Sequence, residues 1–224
     1  KNLSDRSVKV QLVIAGVAGN LADLVEHLPS IRRNILGFRV PELKPTEVQQ
    51  MVAIGEEISG LIFDPKASEA IVTMANGSPY LASLLSQYAS FSAVDRAASI
   101  VVPVDVRNAV GRIAVELRAR LSETSTSAVD RALADGWGPT LHALADHAMH
   151  QMGCLDADQL DKVFTDRAFS EVAGRLAESY GLMVTAFGEK PGRYRFPEEG
   201  LASYVWLLLG ADELGKVEEA AAQA

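Results

Sequence analysis

Few side chains in this 224-residue chain combine reactivity with a spacing that suits chemistry. Arg32 and Arg33 stand together in the polar stretch Ser30-Ile31-Arg32-Arg33-Asn34, between two apolar runs. A guanidinium is always charged, and its planar fork engages two phosphate oxygens at once. The pair therefore suits phosphate contact, or a solvated basic turn, or an ion pair. Asn20 follows Gly19 at the end of the apolar run Val8–Ala18. Its neutral amide can donate and accept, either toward a bound group or within a turn. His142, His147 and His150 fall on one expected helix, and His147 and His150, three apart, share a face. With Asp146 and Cys154 they are the nearest approach to a metal set, but they match no zinc spacing and read better as helix-surface histidines. Cys154 reads as a packed small residue. Ser, His and Asp occur without a G-x-S-x-G elbow, which disfavours hydrolase chemistry. Lys190, Arg193 and Arg195 form a short basic cluster around a Gly/Pro turn, Gly188–Gly192.

Two phosphate-handling elements are absent from these residues. There is no G-x-x-x-x-G-K-S/T loop, and no apolar strand ends in paired acidic residues. Gly188–Gly192 lacks the loop spacing. Phosphoryl transfer depends on positioning and charge neutralisation, so the chain alone is expected neither to bind ATP tightly nor to hydrolyse it.

The elements that would position these groups come in order along the chain. Val8–Ala18 is rich in Val, Leu and Ile with little alternation, as for a strand covered on both faces. Left without its sheet, it is expected to seek a partner edge and promote dimerisation or strand exchange. Leu21–His27 has helical spacing, stopped by Pro29, and Ile35–Val40 reads as a second strand ended by Pro41. A helix is expected from Thr46, as N-cap, to Gly60. A second starts at Asp64 and Pro65 and stops at Gly77, and a third has Pro79 in its first turn. A fourth follows Pro103, with Asp105 near its start. Four such helices make a small bundle. Leu121–Asp130, rich in Ser and Thr, is the best candidate linker, or equally a helix with a polar face. Helices are then expected from Thr140, over Leu155–Phe164 and over Arg167–Gly181. A strand, the Gly/Pro turn and a second strand come next, which is the order of a winged helix. A last helix over Ser203–Leu214 and a polar tail follow.

Composition bounds the function. An apolar fraction of 48% with 22% charged residues is ordinary for a globular protein that buries a sizeable core. Net charge is -8, from 21 basic and 29 acidic residues, so nucleic acid or anionic membrane would need a local basic patch. Residues 154–224 hold seven basic and 13 acidic side chains, which weakens DNA contact further. A single cysteine permits no internal disulfide, and no signal-peptide pattern or membrane-spanning run is seen; a cytoplasmic protein is expected.

The order strand–Gly–Asn, Ser-Ile-Arg-Arg-Asn, strand–Pro, helices reaching Gly77-Ser78-Pro79-Tyr80, then a winged helix resembles the C-terminal part of AAA+/STAND-type ATPases. It is similar to bacterial AAA ATPases resembling the origin-recognition and transposition-helper groups. The resemblance covers nearly the whole chain and lies in order and spacing rather than in one motif. It implies a mainly α fold with a small β component: remnant α/β ATPase strands (residues 1–43), a helical lid (44–121) and a winged helix (122–224). It implies that Asn20 is sensor 1 and that Arg33, in preference to Arg32, is an arginine finger serving a neighbouring subunit. It implies that Gly77, Pro79 and Tyr80 begin a lid helix facing adenine, with no sensor 2 arginine at Ser78, Tyr80 or Leu81. ATP and Mg would be the cofactors, held by an ATPase half outside this chain or by a neighbouring subunit of a homo-oligomer. The winged helix would contact DNA through Lys190, Arg193 and Arg195, or serve as a protein-interaction module of a STAND-type switch. A helical adaptor without ATPase ancestry is the plainer reading.

Overall fold

The structure, a computed structural model, describes residues 13, 38, 40–151, 153–162, 164, 168–185 and 192–222, with side chains as far as residue 211. The chain divides into two compact units, 1–41 and 42–224, and nearly all the described residues belong to the second. The expected strands at Val8–Ala18 and Ile35–Val40 fall almost entirely outside the described residues, as do Asn20, Arg32 and Arg33.

The described chain is mainly helical with a small β component, as the sequence suggests. Helix α1 (Pro45–Ser59) starts two residues earlier than expected: Lys44, not Thr46, is the N-cap. Pro45 presets the first turn, and the Glu47 carboxylate reaches back to accept from the Lys44 N–H at 2.7 Å, so no hydroxyl cap is needed. Gly60 ends the helix at φ 71°. A two-residue strand, β1 (Ile62–Phe63), leads to α2 (Pro65–Ala75), where Asp64 accepts from the Lys66 N–H at 2.9 Å. Helix α3 (Pro79–Asp95) is capped by the Ser78 hydroxyl, which accepts from the Leu81 N–H at 3.3 Å. Strand β2 (Ile100–Val101) pairs in parallel with β1, Ile62 opposite Ile100 and Phe63 opposite Val101.

Helix α4 (Pro103–Arg120) runs back along α3. Its first turn buries Asp105 completely, and the site is satisfied from three sides. Asp105 accepts from the Val102 N–H at 2.9 Å, from the Ser92 hydroxyl at 2.9 Å and from Arg96 at 2.7 and 3.0 Å. Burial pushes the Asp105 carboxyl up, but the Arg96, Val102 and Ser92 hydrogen bonds outweigh it and hold the group below its ordinary range. This locks the end of α3 to the start of α4.

The Ser/Thr-rich stretch, open to either reading in the sequence, is a helix with a polar face, α5 (Glu123–Ala134). Two of its hydroxyls, Ser125 and Thr126, are buried and bonded, while Thr124 and Ser127 face solvent. Ser125 donates to Glu198 at 2.7 Å, and the Ser122 N–H donates to the same carboxylate at 3.0 Å. Helix α6 (Gly138–His150) comes next. The helix expected over Leu155–Phe164 is instead a strand, β3 (Cys154–Asp156), and one short helical turn, α7 (Ala157–Leu160). Helix α8 (Phe169–Tyr180), β4 (Val184–Thr185) and β5 (Arg193–Arg195) complete this half. Strand β5 lies between β3 and β4, antiparallel to both. Strand β3 owes its conformation to that pairing, a contact distant in sequence.

The last helix, α9 (Leu201–Ala222), extends through the stretch expected to be a polar tail. It packs on α4 and α6 and reaches α2. The buried Trp206 donates its indole N–H to the Met74 carbonyl at 2.9 Å. The buried Tyr204 hydroxyl accepts from Arg118 at 2.6 Å, and Arg118 also binds Asp130 at 2.7 Å. Those two acceptors raise the Arg118 pKa. One continuous apolar core, from Val48 to Leu207, runs through both groups of helices.

Candidate functional site

Gly77, Pro79 and Tyr80 lie where α2 turns into α3. Asn76 at φ 46° and Gly77 at φ 74° are consecutive left-handed residues, which reverses the chain in one step. Gly77 is also crowded: a Cβ there would meet Glu42 Cβ at 3.0 Å and the Leu43 carbonyl oxygen at 3.2 Å. The Leu43 N–H donates to the Gly77 carbonyl at 2.9 Å, so the segment entering α1 is pinned across this turn. Pro79 and Tyr80 are exposed on the first turn of α3.

The antiparallel run of α3 and α4 carries a cation to this turn. Arg120, at the end of α4, donates from Nη1 to the Tyr80 hydroxyl at 3.4 Å. Sequence inspection of Ser78, Tyr80 and Leu81 finds no arginine here, because Arg120 lies 40 positions away. The signal was the near-equal length of the two helices, 17 and 18 residues, which in a hairpin sets the end of one beside the start of the other. A helix N-terminus, an exposed aromatic ring and an arginine together suit an anionic ligand with a flat apolar part.

The same turn is tied to the second half of the chain. Asn76 Nδ2 donates to Asp146 Oδ1 on α6 at 2.8 Å. His150, one turn further along α6, sits 2.7 Å from Glu42 and 3.5 Å from Asp146. The histidines therefore diverge. His142 stacks flat on Trp206, with ring centroids 4.5 Å apart, and His150 faces carboxylates. His147 is pushed below its ordinary range chiefly by burial, and its Nε2 is buried with no hydrogen-bond partner among the described residues. No group of three or more metal-ligating side chains converges among the described residues.

Of the basic cluster, Lys190 lies outside the described residues. Arg193 is engaged with Asp156 across the β3–β5 pair at 3.4 Å. Arg195 is exposed. The outward side of α8 presents Glu171 and Glu178 beside Arg175, whose guanidinium lies over the Trp137 ring at 5.4 Å. That face offers a phosphate backbone more repulsion than attraction.

No protein-family model matches the chain, and no curated protein matches its sequence. Among solved structures it is similar to an arginine-to-alanine variant of RuvB from Thermotoga maritima, at 15% identity and a TM-score of 0.40, over 77% of this chain and 53% of that one. It is similar also to a lysine-to-arginine mutant of the same RuvB, at 14% identity and a TM-score of 0.39, over 77% and 52%. The chain spans about half the length of the RuvB chains it matches.

Proposed function

We propose that the chain is the lid and winged-helix portion of an AAA+-type nucleotide switch, and that the winged-helix half contacts protein. The observation that carries this reading is the order of elements. Four helices packed on one another are followed by α5 and then by α6, β3, α7, α8, β4 and β5, with the last strand between the other two. That is helix, strand, two helices and a hairpin wing. In this reading residues 44–121 are the lid and 122–224 the winged helix, with α9 packed across both.

ATP and Mg would be held by residues outside this chain or by a neighbouring subunit, with Asn20 and Arg33 or Arg32 contributing sensor 1 and the arginine finger. The start of α3 would face the nucleotide: Gly77 admits the close turn, Pro79 and Tyr80 lie against the base, and Arg120 supplies the charge. Nucleotide-dependent movement of α3 would reach α6 through Asn76 and Asp146, which join the lid to the first helix of the winged half. Protein is favoured over DNA because Glu171 and Glu178 stand where a groove-reading helix would need cations.

The test is ATP turnover together with fluorescence anisotropy of labelled duplex DNA at low and moderate salt. The expected result is no metal-dependent turnover and no DNA binding. Turnover by this chain would overturn the assignment. Binding that disappears when Lys190, Arg193 and Arg195 are replaced would move the partner to DNA.

A further inference from the structure

Arg120, the cation beside Tyr80, sits at a joint that is held from a distant part of the chain. Helix α4 ends at Arg120, Leu121 has extended backbone and Ser122 caps α5, so only Leu121 and Ser122 separate the two helices. Arg120 is exposed, and its guanidinium reaches the Tyr80 hydroxyl at 3.4 Å. A long exposed side chain gives up rotamer freedom for such a contact, so the contact depends on how firmly its backbone is placed.

That backbone is held on both sides of Arg120. Before it, Arg118 donates to the buried Tyr204 hydroxyl at 2.6 Å and to the Asp130 carboxylate at 3.0 and 2.7 Å. After it, Glu198 grips Ser122. The Ser122 N–H donates to this carboxylate at 3.0 Å, the Ser122 hydroxyl also donates to it, and Ser125 adds a third bond at 2.7 Å. The Ser122 hydroxyl first, then the Ser122 N–H and Ser125, hold the Glu198 carboxyl below its ordinary range. Capping does not require Glu198, because the Ser122 hydroxyl already accepts from the Ser125 N–H at 3.2 Å. Glu198 and Tyr204 both belong to the stretch that returns from β5 into α9. Strand β5 ends at Arg195, the next residue, Phe196, is buried, and the Leu201 N–H donates to the Glu198 carbonyl at 3.3 Å. The central strand of the β3–β5–β4 sheet is thus followed within a few residues by the group that fixes Ser122.

We infer that Glu198 is a positioning residue: by holding Ser122 to the segment that returns from β5, it keeps Arg120 beside Tyr80 and couples the three-stranded sheet to the start of α3. This route is separate from the Asn76–Asp146 contact, which leads from the same turn to α6. A coupling of this kind is reciprocal, so whatever displaces β5 alters the charge presented at Tyr80. That the start of α3 faces nucleotide rests on the reading above; the coupling itself does not.

The test is nuclear magnetic resonance of the 224-residue chain without nucleotide, with arginine side chains and tyrosine rings labelled and circular dichroism to confirm folding. The parent should show a nuclear Overhauser contact between Arg120 and the Tyr80 ring. Glu198→Ala should lose that contact and shift the Arg120 and Tyr80 signals. Ser125→Ala removes one of the three bonds and leaves the α5 cap in place, so it should shift the same signals in the same direction by less. Asp135→Ala breaks the Tyr180 contact at the other end of α5 and should leave them unmoved, whereas a general loosening of α5 would move them in all three variants. A parent without the contact, a contact intact in both Glu198→Ala and Ser125→Ala, or an equal loss in Asp135→Ala would each overturn the inference. With ATP and Mg then added to the parent, unshifted signals at residues 77–81 would remove the nucleotide reading and leave the coupling in place.

Discussion

Replacing Gly77 by alanine should cost more than the backbone conformation alone explains. Gly77 and Gly60 have nearly the same left-handed geometry, φ 74° and φ 71°. Placing an L side chain there costs about 1–2 kcal/mol at either position. Their surroundings differ: a Cβ at Gly60 meets nothing within 4 Å, whereas at Gly77 it approaches Glu42 Cβ to 3.0 Å and the Leu43 oxygen to 3.2 Å. Relief would push the 42–43 segment away and stretch the 2.9 Å hydrogen bond from the Leu43 N–H to the Gly77 carbonyl, worth about 1 kcal/mol. The chain entropy that alanine removes from the unfolded state is the same at both sites and cancels. Gly77→Ala should therefore be about 2–3 kcal/mol destabilising and Gly60→Ala about 1–2, by urea unfolding followed by circular dichroism with unchanged m-values. Equal losses at the two positions would show that the turn at α3 does not hold the entering segment, and the reasoning about this site would fail.

The other predictions concern charge and coupling. Asp105 is held below the unfolded value of about 3.9, so its contribution is present above that pH and lost as pH falls through the folded value. Asp105→Asn should cost about 2–4 kcal/mol at neutral pH, and the gap from the parent should narrow in acid unfolding scans. His147 is also depressed, chiefly by burial, so stability should fall as pH drops below about 6.5, and His147→Leu should flatten that part of the scan. A double-mutant cycle of Asn76→Ala and Asp146→Ala should give a coupling of about 0.5–1.5 kcal/mol, with zero coupling meaning the 2.8 Å contact joins nothing.

The helices of the first half were legible because their ends carry local chemistry. Asp64, Ser78 and Gly60 act where their types predict, and Pro65, Pro79 and Pro103 each sit at a first helical position. The misses are features decided elsewhere in the chain. Strand β3 depends on β5, nearly 40 residues later, and Asp156-Ala157 by itself reads as a capped helix start. For the Ser/Thr run, the sequence left a linker and a polar-faced helix equally open; the helix forms, and Glu198 supplies acceptors for Ser125 and Ser122 that no local window contains. Arg120 went unnoticed beside Tyr80 because the pairing belongs to the α3–α4 hairpin and not to either sequence. Of the candidate site, Gly77, Pro79 and Tyr80 come together by adjacency alone. Arg193, expected to face a ligand, is drawn to Asp156 by strand register.

The most direct test of a nucleotide-facing lid coupled to the winged half is a titration of the isotopically labelled chain with ATP and Mg, followed by amide chemical shifts. Weak binding is expected, with shifts at residues 77–81 and Arg120 that continue to Asp146 and His150 on α6, and that stop at residue 81 and Arg120 in Asn76→Ala. Shifts centred on β4 and β5, or none at the start of α3 at millimolar nucleotide, would contradict it.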